Sequence, residues 1–220
     1  MRIWSLVEAT EAEGPGLRFA LWTQGCSLRC PGCCNPHTWN PSGGRTTTVA
    51  ELLARVDAAR ARRPRLEGVS LLGGEPFEQD DALADLAARV RARGLTVMAY
   101  SGYRLEELRA RGSRLLAHCD LLVDGRYVAS LRTTQRRFVG STNQRLHFLS
   151  AAYTPDDPRF HAPNTAELRL DADGVLRVVG FPFASILAAF GPGARGPRES
   201  GATSGSGPTA GAAKTRSPGC

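Results

Sequence analysis

The feature that most restricts this chain is a group of three closely spaced cysteines. Cys26, Cys30 and Cys33 are separated by three residues and then by two. Thiolates this close in sequence can bind a metal centre from a single loop. An iron–sulfur cube held by four thiolates has no vacant iron, whereas a cube held by three leaves one iron open to another ligand. The spacing therefore predicts a [4Fe-4S] cluster that can do chemistry.

A structural zinc site is the main alternative, because Cys34 or His37 could supply a fourth ligand at zinc-like spacing. Zinc ribbons and fingers usually take a second ligand pair from a separate segment. The remaining cysteines, Cys119 and Cys220, stand alone, which disfavours zinc. A disulfide framework is disfavoured too, since the sequence begins without an apolar signal-peptide core and predicts a reducing cytoplasm.

The composition predicts one domain and gives no sign of a nucleic-acid-binding surface. The chain has 220 residues, of which 42% are hydrophobic, enough for one core. Its net charge of +7 comes from scattered arginines, with Lys214 as the only lysine, and no stretch interleaves aromatic and basic residues. No apolar run is long enough to span a membrane. We therefore expect a cytoplasmic protein with no membrane partner and no direct nucleic-acid partner.

Strand and helix patterns alternate through the first half. Thr48 and Glu51 form a capping-box pattern at the start of a helix, and Gly94 marks the end of another. The sequence predicts strands at 17–23, 68–72, 95–100 and 121–123, and helices beginning at Thr48 and covering 79–93 and 105–111. Repeated units of this kind predict an α/β fold with a mainly parallel sheet.

The second half has a different pattern. A weak strand is predicted at 145–149, and strands at 166–170 and 175–179 are joined by the hairpin signal Asp-Ala-Asp-Gly at 171–174. From residue 191 the chain is rich in Gly, Pro, Ser and Ala and has no apolar periodicity. Such a segment cannot bury enough apolar surface to offset the conformational entropy lost on folding. We therefore predict one domain at 1–190, with an added β-hairpin, and a disordered tail at 191–220.

A second chemical motif, Gly73-Gly74-Glu75-Pro76, follows the predicted strand 68–72. Ligands bind at this edge of parallel α/β sheets. Glycines let backbone approach a ligand, so a Cβ at Gly74 is expected to occupy ligand space, and Glu75 supplies an anionic acceptor. Taken alone, the motif is equally typical of an ordinary strand-to-helix turn.

Further short motifs accompany these two. They are Glu-Gly-Pro-Gly-Leu-Arg at 13–18, Asn-Pro at 35–36, Trp39, Tyr-Ser-Gly-Tyr at 100–103, Leu-Val-Asp-Gly at 122–125 and Gly-Ser-Thr-Asn-Gln-Arg at 140–145. With the cysteine and Gly-Gly-Glu-Pro motifs, their order resembles the activating proteins of anaerobic ribonucleoside-triphosphate reductase. These are glycyl-radical-enzyme activases of the radical S-adenosylmethionine superfamily. The resemblance covers about residues 1–182.

The resemblance implies a partial (β/α) barrel with a [4Fe-4S] cluster and S-adenosylmethionine as cofactors. It implies that Cys26, Cys30 and Cys33 bind iron. The residues implied to contact S-adenosylmethionine are Gly32 and Cys34 beside the cluster, Gly73, Gly74 and Glu75 at the methionyl end, and Ser101 and Gly102 near the ribose. Cys34 departs from the family, which typically has Tyr or Trp there, and a thiol at that place could compete with Cys33 for iron.

The implied reaction is reductive cleavage of S-adenosylmethionine to a 5′-deoxyadenosyl radical, after one-electron reduction by a flavodoxin or ferredoxin. That radical would take a hydrogen from a glycine of a partner such as anaerobic ribonucleoside-triphosphate reductase. The cofactor carries this chemistry, so no protein acid or base is assigned a catalytic role. Two alternatives remain open, a radical S-adenosylmethionine enzyme that modifies a small molecule or peptide, and a noncatalytic metal-binding module.

Overall fold

The computed structural model describes residues 1–170 and 176–181 and the backbone of 215–216. The strands are β1 Arg2–Thr10, β2 Leu17–Thr23, β3 Arg45–Thr46, β4 Leu66–Gly73, β5 Thr96–Tyr100, β6 Leu121–Asp124, β7 Arg145–Phe148, β8 Ala166–Leu170, β9 Leu176–Gly180 and β10 Thr215–Arg216. The α-helices are α1 Val49–Arg62, α2 Asp80–Arg91 and α3 Leu105–Ala110. No helix in the described part of the chain is both long and apolar enough to cross a membrane.

Seven strands form the main sheet, in the order β3-β1-β2-β4-β5-β6-β7. The central strands β2, β4, β5 and β6 run parallel, whereas β1, β3 and β7 pair antiparallel with their neighbours. The predicted α/β class with a mainly parallel central sheet is therefore confirmed. Because the four parallel strands end at one edge of the sheet, the loops that follow them lie side by side.

The helices cover one face of the sheet. The capping box predicted for α1 is present, since Glu51 N–H donates to Thr48 Oγ1 at 3.1 Å and Thr48 N–H donates to Glu51 Oε2 at 2.9 Å. A short 3-10 turn at Pro76–Gln79 precedes α2, so the α-helix begins at Asp80, one residue later than predicted. The apolar sides of the helices pack on inward residues of the sheet such as Leu21 and Leu71.

The second half of the chain covers the opposite face. Residues of the loops between β6 and β8, among them Phe138 and Tyr153, pack against Met98 and Leu121 of the sheet. The predicted hairpin is confirmed as the antiparallel pair β8 and β9, and its turn at 171–174 lies outside the described residues. The backbone of β10, within the segment predicted to be a disordered tail, pairs with β9. The rest of that segment, 191–214 and 217–220, lies outside the described residues.

Candidate cluster and cofactor site

The loop that carries the three cysteines follows β2 and is closed by backbone hydrogen bonds at its base. Gly25 N–H donates to Thr38 O at 2.7 Å, and Cys26 N–H donates to Trp39 O at 3.2 Å. The Gln24 side chain adds a third link through Nε2, which donates to Asn40 O at 2.6 Å. These bonds join the two ends of the loop, so the cysteines between them are held on a defined backbone. We call residues 25–39 the cysteine loop.

The turn after β4 fixes this loop from a second side. Glu78 Oε1 accepts the Ser27 N–H at 2.8 Å and also the Ser27 hydroxyl at 2.5 Å. Gln79 Nε2 donates to Gln24 O at 3.0 Å, and its Oε1 accepts Arg2 N–H. No role was predicted from the sequence for Glu78 or Gln79, although both lie shortly after the Gly-Gly-Glu-Pro motif.

The three predicted iron ligands are free thiols and line one cavity. Cys33 N–H donates to Cys30 O at 3.1 Å, and Cys33 Sγ accepts Asn35 N–H at 3.4 Å. Burial raises the pKa of Cys26 to about 11 and also raises the pKa of Cys33, so both groups are thiols at neutral pH. A metal centre binds thiolates, so its binding here would release these protons.

Several buried polar atoms in the cavity fit a polar ligand. Trp39 lies against the Cys33 thiol, yet its indole N–H makes no well-aligned hydrogen bond; Asn35 Oδ1 and the Tyr100 hydroxyl also have none. Buried polar groups normally have partners. No three His, Cys, Asp or Glu side chains in the described part of the chain converge on one metal ion. A four-iron cluster binds its thiolates on different irons, so its ligands stand further apart. The residues therefore fit a cluster with a bound polar cofactor.

The Gly-Gly-Glu-Pro turn packs directly on the cysteine loop. Gly74 N–H donates to Thr23 O at 2.9 Å, and Glu75 N–H donates to Gly25 O at 2.8 Å. A Cβ on Gly74 would lie 2.2 Å from Gly25 O. It would therefore collide with protein backbone, whereas the sequence led us to expect that it would occupy ligand space. The positive φ of this turn, +104°, belongs to Gly73.

Glu75 joins the ends of two parallel strands. Its buried carboxylate accepts hydrogen bonds from Ser101 Oγ at 2.9 Å, Gly102 N–H at 2.8 Å and Phe77 N–H at 3.1 Å. Burial raises the pKa of Glu75 to about 7, and these hydrogen bonds oppose the rise. The carboxylate thus holds the segment after β5 against the turn after β4. This brings Ser101 and Gly102 to the cavity beside the cysteines.

The cavity has a volume of about 140 Å³ and opens to solvent at the edge where the parallel strands end. The predicted residues that line it are Cys26, Cys30, Cys33, Gly73, Gly74, Glu75, Ser101 and Gly102.

Gly32 and Cys34 do not line this cavity. Gly32 is exposed, and Cys34 is disulfide-bonded, a state in which its sulfur offers no thiolate to iron. Their contact with the cofactor stays a prediction.

Other residues that line the cavity were not among those implied to bind iron or to contact S-adenosylmethionine. Glu13 is buried in the wall, Tyr100 is half-buried there, and Tyr127, Gln144 and Phe181 come from later segments. Burial raises the pKa of Glu13 to about 8, and burial also raises the pKa of Tyr100. Glu13, Tyr100 and Gln144 belong to motifs that carried the family resemblance, so a signal for them was present. Tyr127 and Phe181 belong to none.

Comparison with known proteins agrees with the site. The family described as a 4Fe-4S single cluster domain matches residues 12–147. The anaerobic ribonucleoside-triphosphate reductase-activating protein of Escherichia coli strain K12 is 34% identical over 140 residues, which are 62% of this chain and 91% of that protein. The protein of the same name from Enterobacteria phage T4 is 32% identical over 140 residues, covering 60% and 85% of the two chains.

A second kind of activase is also similar. The pyruvate formate-lyase-activating enzyme of Clostridium pasteurianum is 35% identical over 124 residues, which are 56% of this chain and 50% of that enzyme. The cysteine loop lies within the residues that the 4Fe-4S family matches. The cluster domain, its free cysteines and these relatives lead to one assignment. The chain belongs to the [4Fe-4S] family of glycyl-radical-enzyme activating enzymes.

Proposed function

We propose that this enzyme cleaves S-adenosylmethionine reductively and uses the product radical to place a glycyl radical on a partner enzyme. One observation carries the proposal. The three free thiols share a cavity with the Gly-Gly-Glu-Pro turn and the segment after β5, at the shared edge of four parallel strands. When bound there, the [4Fe-4S] cluster and S-adenosylmethionine together supply the electron and the 5′-deoxyadenosyl radical.

The role of the chain is to bind, orient and shield. Cys26, Cys30 and Cys33 would hold the cluster, and the backbone of Gly73 and Gly74 would meet the methionyl end of the cofactor. The Glu75 carboxylate accepts hydrogen bonds from Ser101, Gly102 and Phe77. It therefore positions these segments and is not available as a catalytic base. No residue is assigned as a catalytic acid or base. The apolar wall, including Leu72 and Phe181, excludes water from the radical chemistry.

The partner class follows from the relatives. Their names assign them to anaerobic ribonucleoside-triphosphate reductase and to pyruvate formate-lyase, and we infer a glycyl-radical enzyme of this kind as the partner. A flavodoxin or ferredoxin is the inferred electron donor. The proposal includes the partial (β/α) barrel. The main sheet has seven strands and is open, as a partial barrel requires. It also includes residues 1–190 as the working domain and the cytoplasm as its location.

The test is anaerobic reconstitution with iron and sulfide, followed by reduction with dithionite in the presence of S-adenosylmethionine. We expect 5′-deoxyadenosine and methionine in equal amounts, and none from Cys30→Ala. Adding an anaerobic ribonucleoside-triphosphate reductase should produce a glycyl-radical signal in electron paramagnetic resonance. Cleavage without a radical on any glycyl-radical enzyme would favour a small molecule or peptide as substrate. A reconstituted cluster that cleaves no cofactor would leave only a metal-binding module.

A further inference from the structure

The segment after β6 carries an unusual excess of positive charge. Between Gly125 and Pro155 the sequence has five arginines and no Asp or Glu. The arginines are Arg126, Arg132, Arg136, Arg137 and Arg145. Over the whole chain, by contrast, 28 Lys and Arg residues accompany 21 Asp and Glu residues. The charge of this segment is therefore locally unbalanced.

This segment packs against the outside of the cysteine loop. Arg126 Nη1 donates to Leu28 O at 3.5 Å. A Cβ built on Gly32 would lie 2.8 Å from Ala129 Cβ, so the two backbones are in close contact there. Arg29, on the cysteine loop itself, is exposed next to Leu28. Positive charge from two separate segments therefore meets beside the iron ligands.

The arginines near this contact differ in whether a carboxylate neutralises their charge. Arg145 pairs with Asp124 at 2.6 Å and with Glu106 at 2.9 Å, so its charge is neutralised. Arg29, Arg126 and Arg136 are exposed and pair with no carboxylate among the described residues; Arg136 donates only to backbone carbonyls of 142 and 144. We call Arg29, Arg126 and Arg136 the basic rim.

Fewer acidic groups than arginines lie beside the rim. Glu78, in the turn after β4, is an exposed carboxylate that accepts the Ser27 hydroxyl and N–H of the cysteine loop, and its single charge offsets at most one of the three arginines. Glu75 is buried on the inner side. The large apolar side chain exposed within the segment is Leu131, which is 42% exposed. The outer face of the cysteine loop is thus basic, and Leu131 is the large apolar side chain exposed beside it.

We propose that the basic rim is the docking surface for an acidic one-electron donor protein. This inference rests on the proposed function, which requires one electron per cleavage. One electron leaves the donor and one enters the cluster held by the three cysteines, and no bond forms between the proteins. The rim borders those ligands on their solvent side, so a donor seated on it would face the cluster through a single loop.

The charge of the basic rim and its small apolar content favour an electron donor over the glycyl-radical enzyme as the protein that docks there. Electron-transfer encounters are small and transient and are guided by complementary charge. A partner that must insert a backbone segment into the cavity needs a larger, better packed contact. The rim offers charge and a single apolar side chain, which suits the first kind of complex. Charges on such a surface also raise the association rate, by ten to a thousand-fold in favourable cases.

The experiment measures the rate of cluster reduction by a reduced flavodoxin of strongly negative charge. The holoprotein is mixed with this donor anaerobically, and the loss of cluster absorbance is followed by stopped flow at low and high salt. Arg29→Glu/Arg126→Glu is compared with the wild type and with Arg65→Glu. Arg65 is an exposed arginine in the turn before β4, at the end of that strand opposite the Gly-Gly-Glu-Pro turn, and is the matched control.

At low salt we expect the double variant to be reduced about tenfold or more slowly, with the control unchanged. Salt should slow the wild type and leave the double variant unaffected or faster. Arg29→Gln/Arg126→Gln, which keeps neutral side chains in place, should lie between the two. Arg29 lies between two iron ligands, so cluster content is measured in every variant and reduction rates are compared only between proteins with equal cluster loading.

Equal reduction rates for the double variant and the wild type at low salt would overturn the docking surface. So would normal reduction combined with loss of the glycyl radical, because the rim would then bind the radical acceptor. Failure of dithionite-driven cleavage in the wild type would instead contradict the proposed function. The donor-dependent rate of cluster reduction can still be measured in that case, so the two failures are distinguishable.

Discussion

The buried carboxylate of Glu13 makes a strong prediction about stability and pH. Glu13 lies in the cavity wall, is 2% exposed and accepts Gly180 N–H at 2.9 Å. Burial raises its pKa from the ordinary value of 4.5 to about 8. Each unit of pKa difference between the folded and unfolded states is worth about 1.4 kcal/mol. A rise from 4.5 to about 8 therefore corresponds to about 5 kcal/mol.

The sign of the effect follows from which state loses its proton first. Below pH 4.5 Glu13 is protonated in both states, so it adds no pH dependence. Between pH 4.5 and about 8 the unfolded chain releases the proton while the folded protein keeps it, which favours unfolding. Above about pH 8 both states are ionised and the penalty is constant. The stabilising contribution of neutral Glu13 is thus lost as the pH rises through this window.

Glu13→Gln should remove this dependence, because the amide keeps the shape and the acceptor oxygen but cannot ionise. The assay is urea unfolding of both reduced apoproteins under anaerobic conditions at several pH values from 5 to 9. The variant should gain stability over the wild type as the pH rises, by about 4 kcal/mol between pH 5 and 9. Glu75, whose pKa burial raises to about 7, is present in both proteins and cancels in the difference.

Glu51→Gln is the control whose difference from the wild type should stay nearly constant from pH 5 to 9. Hydrogen bonds from Thr48 N–H and the Thr47 hydroxyl lower the pKa of the exposed Glu51, so ionised Glu51 stabilises the wild type. That contribution is present above pH 4.5 and is lost on acidification. A difference between wild type and Glu13→Gln that stays constant from pH 5 to 9 would refute the assignment of Glu13 as a carboxyl that is neutral when buried.

Two further predictions concern the cluster and the turn beside it. Iron and sulfide analysis should find no cluster in Cys26→Ala, Cys30→Ala or Cys33→Ala. Cys119→Ala, which removes a buried thiol, should keep the cluster. Full cluster loading in Cys33→Ala, with loss in Cys34→Ala, would show that Cys34 is the third ligand. Gly74→Val should lower cluster loading as well as S-adenosylmethionine binding, because its Cβ would press on Gly25 next to Cys26. Melting temperatures identify unfolding, and Gly94→Asn is the control, since a Cβ there meets nothing within 4 Å. A cluster-loaded Gly74→Val protein that fails only in cofactor binding would restore the view that the Cβ occupies ligand space.

The sequence predicted those parts of the fold that local patterns determine. The capping box of α1, the apolar parallel strands and the hairpin of β8 and β9 all depend on residues close together in the chain. The long strand β1 was not predicted, because its place beside β2 depends on pairing across the turn at 11–16. The buried Arg18 shows the same limit. Its guanidinium donates to Ser70 Oγ at 2.8 Å and Tyr153 OH at 3.1 Å, contacts set only by the folded sheet.

The site was predictable where the spacing of residues along the chain selects one of their chemical uses, and less so where it does not. Cysteine spacing identified three thiols that do share a cavity. The glycines of the Gly-Gly-Glu-Pro turn were ambiguous, because close approach to a ligand and close approach to the protein backbone both require that Cβ be absent. In the structure, Gly74 meets Gly25 and Gly73 meets the Trp22 backbone. These glycines therefore dock the turn after β4 onto the segment that carries the iron ligands. Any contact they make with the cofactor must come from backbone atoms that this docking has already fixed, so changes in the turn should affect cluster and cofactor together.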